Sequence, residues 1–136
     1  MASRPGFAEA WAEMATRTPV IAILDDEPDF RRALARLLAA HDYDAVGFGT
    51  GRALLEAVAQ YRFDCITLDI DMSGMGGLEV LAALRVAQNG PPVIVITGHD
   101  SPDNQQRAAA LSIFAYHRKP VRAATLMPLV ARACGR

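Results

Sequence analysis

Five short apolar runs, separated by segments of helical periodicity, constrain this chain more than any other feature. They are PVIAIL (19–24), DAVGF (44–48), DCITL (64–68), PVIVIT (92–97) and IFAYH (113–117). The first, third and fourth are dense in Val, Ile and Leu without alternation, as strands covered on both faces of a parallel sheet are. Between the runs, apolar residues recur at helical spacing. After Pro28, a favourable first helical residue, Phe30, Ala33, Leu34, Leu37 and Leu38 form one stripe. Segments 51–60, 78–88, 103–111 and 122–133 repeat the pattern, the last through Leu126, Leu129, Val130 and Ala133. Pro128 inside that last segment predicts a kink or a displaced start. Strand and helix alternating five times predict an α/β fold: a doubly wound, open, five-stranded parallel sheet with five helices shared between its faces. Residues 1–18 stand outside the alternation as an N-terminal extension, where Phe7, Trp11 and Met14 fall at the i, i+4, i+7 spacing of a short helix.

A chain of 136 residues can bury a real core as one domain, here 19–136. Acidic and basic residues nearly cancel, 15 against 14, so whole-chain charge gives no reason to expect nucleic-acid or membrane binding. Two cysteines, Cys65 and Cys134, are too few for a disulfide framework, and Cys65 sits within an apolar run where a thiol acts as a small hydrophobe. No apolar stretch has membrane-spanning length and the N-terminus has no secretory segment, so the expected location is cytoplasmic.

In open α/β sheets, ligands bind beyond the carboxyl ends of the strands. There the first run delivers Asp25, Asp26 and Glu27, and the third delivers Asp69 and Asp71. The fourth delivers Thr97 followed by Gly98, His99 and Asp100, and the fifth delivers Lys119. Crowded carboxylates repel one another, and a divalent cation relieves them. Oxygen ligands with no His or Cys among them favour Mg2+, with Mn2+ as a substitute, over zinc. A phosphoryl group needs a metal, hydrogen-bond donors and a cation around it, and Thr97, Lys119 and backbone N–H groups of 70–77 could serve. Gly74, Gly76 and Gly77 would let the backbone near Asp69 approach closely or adopt positive φ.

The stretches ILDDEPDFRRAL, LDIDMSGMGGLEVL, VIVITGH and YHRKP, in this order and spacing, resemble the receiver domain of bacterial two-component response regulators, chemotaxis-regulator-like, over about 19–133. The resemblance implies a flavodoxin-like sheet of order 2-1-3-4-5. It implies that Asp69 is the phosphoacceptor, and that Asp26, Asp69 and the Asp71 backbone carbonyl bind Mg2+ directly, with Asp25 acting through water. Lys119 would pair with the phosphoryl group, Thr97 would donate its hydroxyl, and Tyr116 would be the switch aromatic. Helix 4, strand 5 and helix 5 would form the responding face. Asp71 and His99, two residues beyond Asp69 and Thr97, are expected to tune the lifetime of the phosphorylated state.

The implied partners are a sensor histidine kinase or phosphotransfer protein, and either a downstream protein or a C-terminal output domain. A homodimer is left open. Neither membrane nor direct nucleic-acid binding is expected of this segment. It would catalyse only its own phosphorylation and dephosphorylation rather than turn over a substrate. Departures from the pattern are Ser73 after Met72, Gly76, Ser112, His117 beside Tyr116, and Pro128. Two other readings compete. One is a pseudo-receiver that binds partners without phosphate. The other is a small haloacid-dehalogenase-type phosphatase, suggested by Asp69-Ile70-Asp71 and disfavoured by the acidic pair already ending the first strand.

Overall fold

The computed structural model describes residues 6–9, 17–86 and 90–136. In chain order it contains β1 (Val20–Leu24), α1 (Pro28–Ala40), β2 (Asp44–Phe48), α2 (Gly51–Gln60), β3 (Cys65–Leu68), α3 (Gly77–Val86), β4 (Val93–Thr97), α4 (Pro102–Ala109), β5 (Ala115–Arg118) and α5 (Ala123–Ala133). The strands form one parallel sheet in the order β2-β1-β3-β4-β5, as expected. Strand order reverses between β1 and β3, which opens a crevice beyond their carboxyl ends. Trp11 and Met14 of the expected short N-terminal helix lie outside the described residues, and Phe7 is exposed.

Successive strand residues point to opposite faces, so the unalternating apolar runs build two cores at once. Ala22, Leu24, Ile66, Leu68, Val93 and Val95 meet Leu54 of α2 and Val80, Leu81 and Leu84 of α3 on one face. Ile21, Ile23, Cys65, Ile94 and Ile96 meet Leu34 and Leu38 of α1 and Leu126 and Val130 of α5 on the other. The three central strands are buried along nearly their whole length, whereas the edge strands β2 and β5 are half-exposed.

Local chemistry sets the element ends. The Thr50 and Ser101 hydroxyls accept from the N–H groups of Ala53 and Asn104, at 3.2 and 3.1 Å, and cap α2 and α4. Helix α1 ends in a Schellman turn. Tyr43 N–H donates to Leu38 O and Asp42 N–H to Ala39 O, with Asp42 at φ 68°. Ser112 likewise takes a left-handed turn at φ 56° after α4. The fifth strand then starts later than the apolar run: Phe114 N–H donates to Val93 O at 2.8 Å, and the paired ladder runs from Ala115 opposite Ile94 to Arg118 opposite Thr97. Helix α5 begins at Ala123 and is continuous across Pro128.

Candidate functional site

The sheet ladder itself positions the site residues. Each stands one place beyond its strand and remains tied to the neighbour by its backbone. Asp25 N–H donates to Phe48 O at 3.1 Å, Asp69 N–H to Leu24 O at 3.0 Å, and Lys119 N–H to Thr97 O at 2.8 Å. Three side chains from three strands are therefore held on a rigid edge rather than on mobile loops. Two short turns then lock the carboxylates. One oxygen of Asp25 accepts from Glu27 N–H at 2.9 Å, and one of Asp69 accepts from Asp71 N–H at 2.8 Å. In each case Oδ1 is used by the turn and Oδ2 is left facing the edge.

Gly77, the first residue of α3, accounts for part of the glycine-rich stretch. A Cβ there would lie 2.2 Å from the Asp69 carbonyl oxygen and 2.4 Å from the Ile70 Cα, so α3 can start this close to Asp69 only with glycine. Gly74 serves differently: it sits at φ +76° in open space, turning the loop that follows Asp69.

The Oδ2 atoms of both buried acids converge on Lys119. Its Nζ lies 2.8 Å from Asp25 Oδ2, 3.1 Å from Asp69 Oδ2 and 3.5 Å from Glu27 Oε1. It also stands over the Phe30 ring, 4.1 Å from the centroid. Asp25 is 1% exposed and Asp69 3%. Burial pushes the Asp25 pKa above its ordinary value, against the opposing pull of Lys119 and the Glu27 N–H. Burial works to lower the Lys119 pKa, but its bonds to Asp25 and Asp69 outweigh it and leave it raised. The two shifts are consistent: one ammonium has several partners, while each acid has only a share of one ammonium.

Asp25 Oδ2 is fully buried, with the Lys119 ammonium 2.8 Å away as its ion-pair partner. Carboxylate oxygens of Asp25, Glu27 and Asp69 lie within 4.8 Å of one another, the described group of acids close enough to share one ion. Three convergent hard oxygen donors, two of them on buried acids, fit a divalent cation of the Mg2+ kind. Glu27 is the member that sequence reading passed over. The DDE run was visible, but nothing in it told that the exposed Glu27, rather than Asp26, would reach Lys119 beside the buried Asp25.

The other expected residues are placed as follows. Asp26 is half-buried and turned toward the loop after β3, where its Oδ2 accepts from Ser73 N–H at 3.1 Å and Ser73 Oγ at 3.3 Å. It does not join the converging group. The Asp71 carboxylate contacts His99 Nδ1, an exposed pair bridging the loops after β3 and β4. Thr97 is fully buried, and its hydroxyl accepts from His99 N–H at 3.2 Å, which leaves its own proton to donate. The Tyr116 ring packs against the core beneath α2 and α3. Its hydroxyl is buried without a hydrogen-bond partner, and burial, with the nearby Asp100 carboxylate outside bonding geometry, pushes the phenol up to about 12.

Comparison with known proteins gives this edge its context. Residues 21–131 match the model of the response regulator receiver domain. The Escherichia coli (strain K12) DNA-binding transcriptional regulator NtrC is 32% identical over 114 residues, 84% of this chain but 24% of that protein. The chain thus spans about a quarter of that relative's length. The signal receiver domain of a modulated diguanylate cyclase from Desulfovibrio desulfuricans G20 superposes with a TM-score of 0.79 at 30% identity, covering 88% of this chain and 95% of that one. A CheY-like receiver domain protein from Methanospirillum hungatei JF-1 is similar in fold, with a TM-score of 0.83 at 23% identity, covering 88% and 95%. A buried acid on each of two central strands, joined by a lysine from the edge strand within a five-stranded 2-1-3-4-5 sheet, agrees with these matches, and the chain belongs to the response regulator receiver domain family of two-component systems.

Proposed function

We propose that this domain receives a single phosphoryl group on Asp69 from the phosphohistidine of a sensor kinase or phosphotransfer protein. The observation that carries the reading is the ammonium of Lys119 held 3.1 Å from Asp69 Oδ2 and 2.8 Å from Asp25 Oδ2 on one buried edge. Oδ2 of Asp69 is the oxygen not committed to the Asp71 turn, and it becomes the nucleophile as its Lys119 partner turns to the incoming phosphoryl group. It attacks phosphorus, the P–N bond breaks, and its electron pair returns to the imidazole of the donor. A divalent cation, when bound among Asp25, Glu27, Asp69 and a recruited Asp26, would neutralise phosphoryl oxygens as charge moves onto them.

The chain's own groups supply the rest. Lys119 exchanges part of its carboxylate pairing for a phosphoryl oxygen. The Thr97 hydroxyl has a proton to donate. Reversal to free aspartate occurs when water attacks phosphorus, and Asp71 and His99, paired across the mouth of the site, govern that step. The domain is thus a stoichiometric acceptor rather than a turnover enzyme. Its response would pass through Thr97 and Tyr116 to the face formed by α4, β5 and α5, where a downstream protein or an attached output domain reads it.

Intact-mass measurement after treatment with a small-molecule phosphodonor tests this. Wild type is expected to gain one phosphoryl group only with Mg2+, Asp69→Asn to gain none, and a generic phosphate ester not to be turned over. Replacing both Asp71 and His99 with alanine is expected to change the decay of the modified mass. A gain of mass retained by Asp69→Asn would overturn the assignment.

A further inference from the structure

We infer that Ser73 competes with a divalent cation for Asp26, so that filling the site obliges the loop after β3 to release that carboxylate. The inference rests on reading the acidic edge as a cation site. It concerns how that site is opened.

Three observations combine. First, the same oxygen of Asp26 accepts both the backbone N–H and the hydroxyl of Ser73, at 3.1 and 3.3 Å. Two donors occupy both lone-pair directions of one carboxylate oxygen. Second, the acids whose oxygens converge are Asp25, Glu27 and Asp69, while Asp26, between two of them in the chain, is drawn out of that group. Third, among the described residues this pair of bonds is what fastens segment 72–76 to the turn between β1 and α1. The other loop bonds do not reach that turn: Asp71 N–H donates to Asp69, Gly77 N–H donates to Ile70 O, and the Asp71 carboxylate pairs with His99 of the loop after β4. Gly74 at φ +76° and Gly76 beside it give the segment little stiffness of its own.

Asp26 therefore has two alternatives. With no cation, its charge is met by Ser73 and the loop is tethered. With a cation, attraction from a doubly charged centre draws the carboxylate toward Asp25 and Asp69, and the tether opens. By linkage, whatever loosens the tether tightens cation binding, and a bound cation loosens the tether by the same factor. Ser73 thereby sets the cation concentration at which the site fills, and the loop reports whether it is filled.

The experiment is a Mg2+ titration of the full chain followed by backbone amide NMR, on wild type, Ser73→Ala and Ser73→Pro. Alanine removes the hydroxyl bond and proline removes both. Without cation, the wild-type Ser73 amide is expected to be shifted and protected from exchange, and saturating Mg2+ is expected to abolish that protection. Relative to wild type, Mg2+ should bind about threefold more tightly to Ser73→Ala and about tenfold more tightly to Ser73→Pro, the scale of one and of two ordinary hydrogen bonds at an exposed position. Wild-type Asp25 and Asp69 amides that do not respond to Mg2+ would remove the cation site itself, and the inference with it. Normal wild-type binding with unchanged or weaker binding in both variants would overturn the inference alone. So would a Ser73 amide still protected at saturation, a readout that needs no variant to fold.

Discussion

At Lys119, burial acts to strip the ammonium of its proton, whereas Asp25 and Asp69 hold the proton in place and prevail. A raised lysine pKa contributes stability that is complete below the ordinary value of 10.5 and disappears as pH climbs through the folded value. Tyr116 acts in the same alkaline window through a different cause. Its buried phenol keeps its proton up to about 12, while an unfolded tyrosine releases it near 10. Between those values the folded chain binds more protons than the unfolded one, so stability falls as pH rises. Tyr116→Phe should remove this component. Urea midpoints at neutral pH should be equal to wild type or higher, because the hydroxyl has no bond to lose. The advantage of the variant should grow above pH 10. Equal midpoints for the two chains at about pH 11 would contradict this reading of the phenol.

At the scale of elements, the contact between the start of α3 and the end of β3 is the tightest constraint on the site. Gly77→Ala places a methyl 2.2 Å from the Asp69 carbonyl oxygen, a backbone atom that cannot rotate away. Denaturation should show a loss of at least about 1–3 kcal/mol, the usual cost of overpacking, and phosphoryl gain on Asp69 should fall with it. The need for a glycine near Asp69 was legible in the sequence, as were the five strands and the helices between them, because apolar period and run length follow directly from burial. The start of the fifth strand was not. Ile113 and Phe114 are as apolar as any strand residue, yet they follow the left-handed turn at Ser112 and the paired ladder starts at Ala115. Nor could spacing reveal that the exposed Glu27 reaches Lys119 while Asp26 turns to Ser73. Which neighbouring carboxylate reaches the edge depends on backbone direction and side-chain length together, and spacing in the sequence shows only the second.

Across the whole molecule, the sheet separates two cores, and Cys65 lies at its centre with no exposure while Cys134 is half-buried at the end of α5. The neighbouring Cys134 sulfur and then burial push the Cys65 pKa up, whereas the bond from Cys65 lowers the Cys134 pKa. A thiol reagent should therefore modify Cys134 in the folded protein and reach Cys65 only by global opening. Mg2+ at about 100 times its dissociation constant should slow Cys65 modification about a hundredfold, as mass action requires of a ligand bound to the native state alone. Modification of Cys65 at a rate insensitive to Mg2+ would separate the acidic edge from global stability. The half-exposed outer strands have a different consequence. β2 is five residues long and carries Asp44 and Gly47, and β5 is four long and closes on His117 and Arg118. Short outer ribbons bearing charge make poor templates for a foreign strand, so a chain with a sheet open on both sides is protected from stacking edge to edge into aggregates.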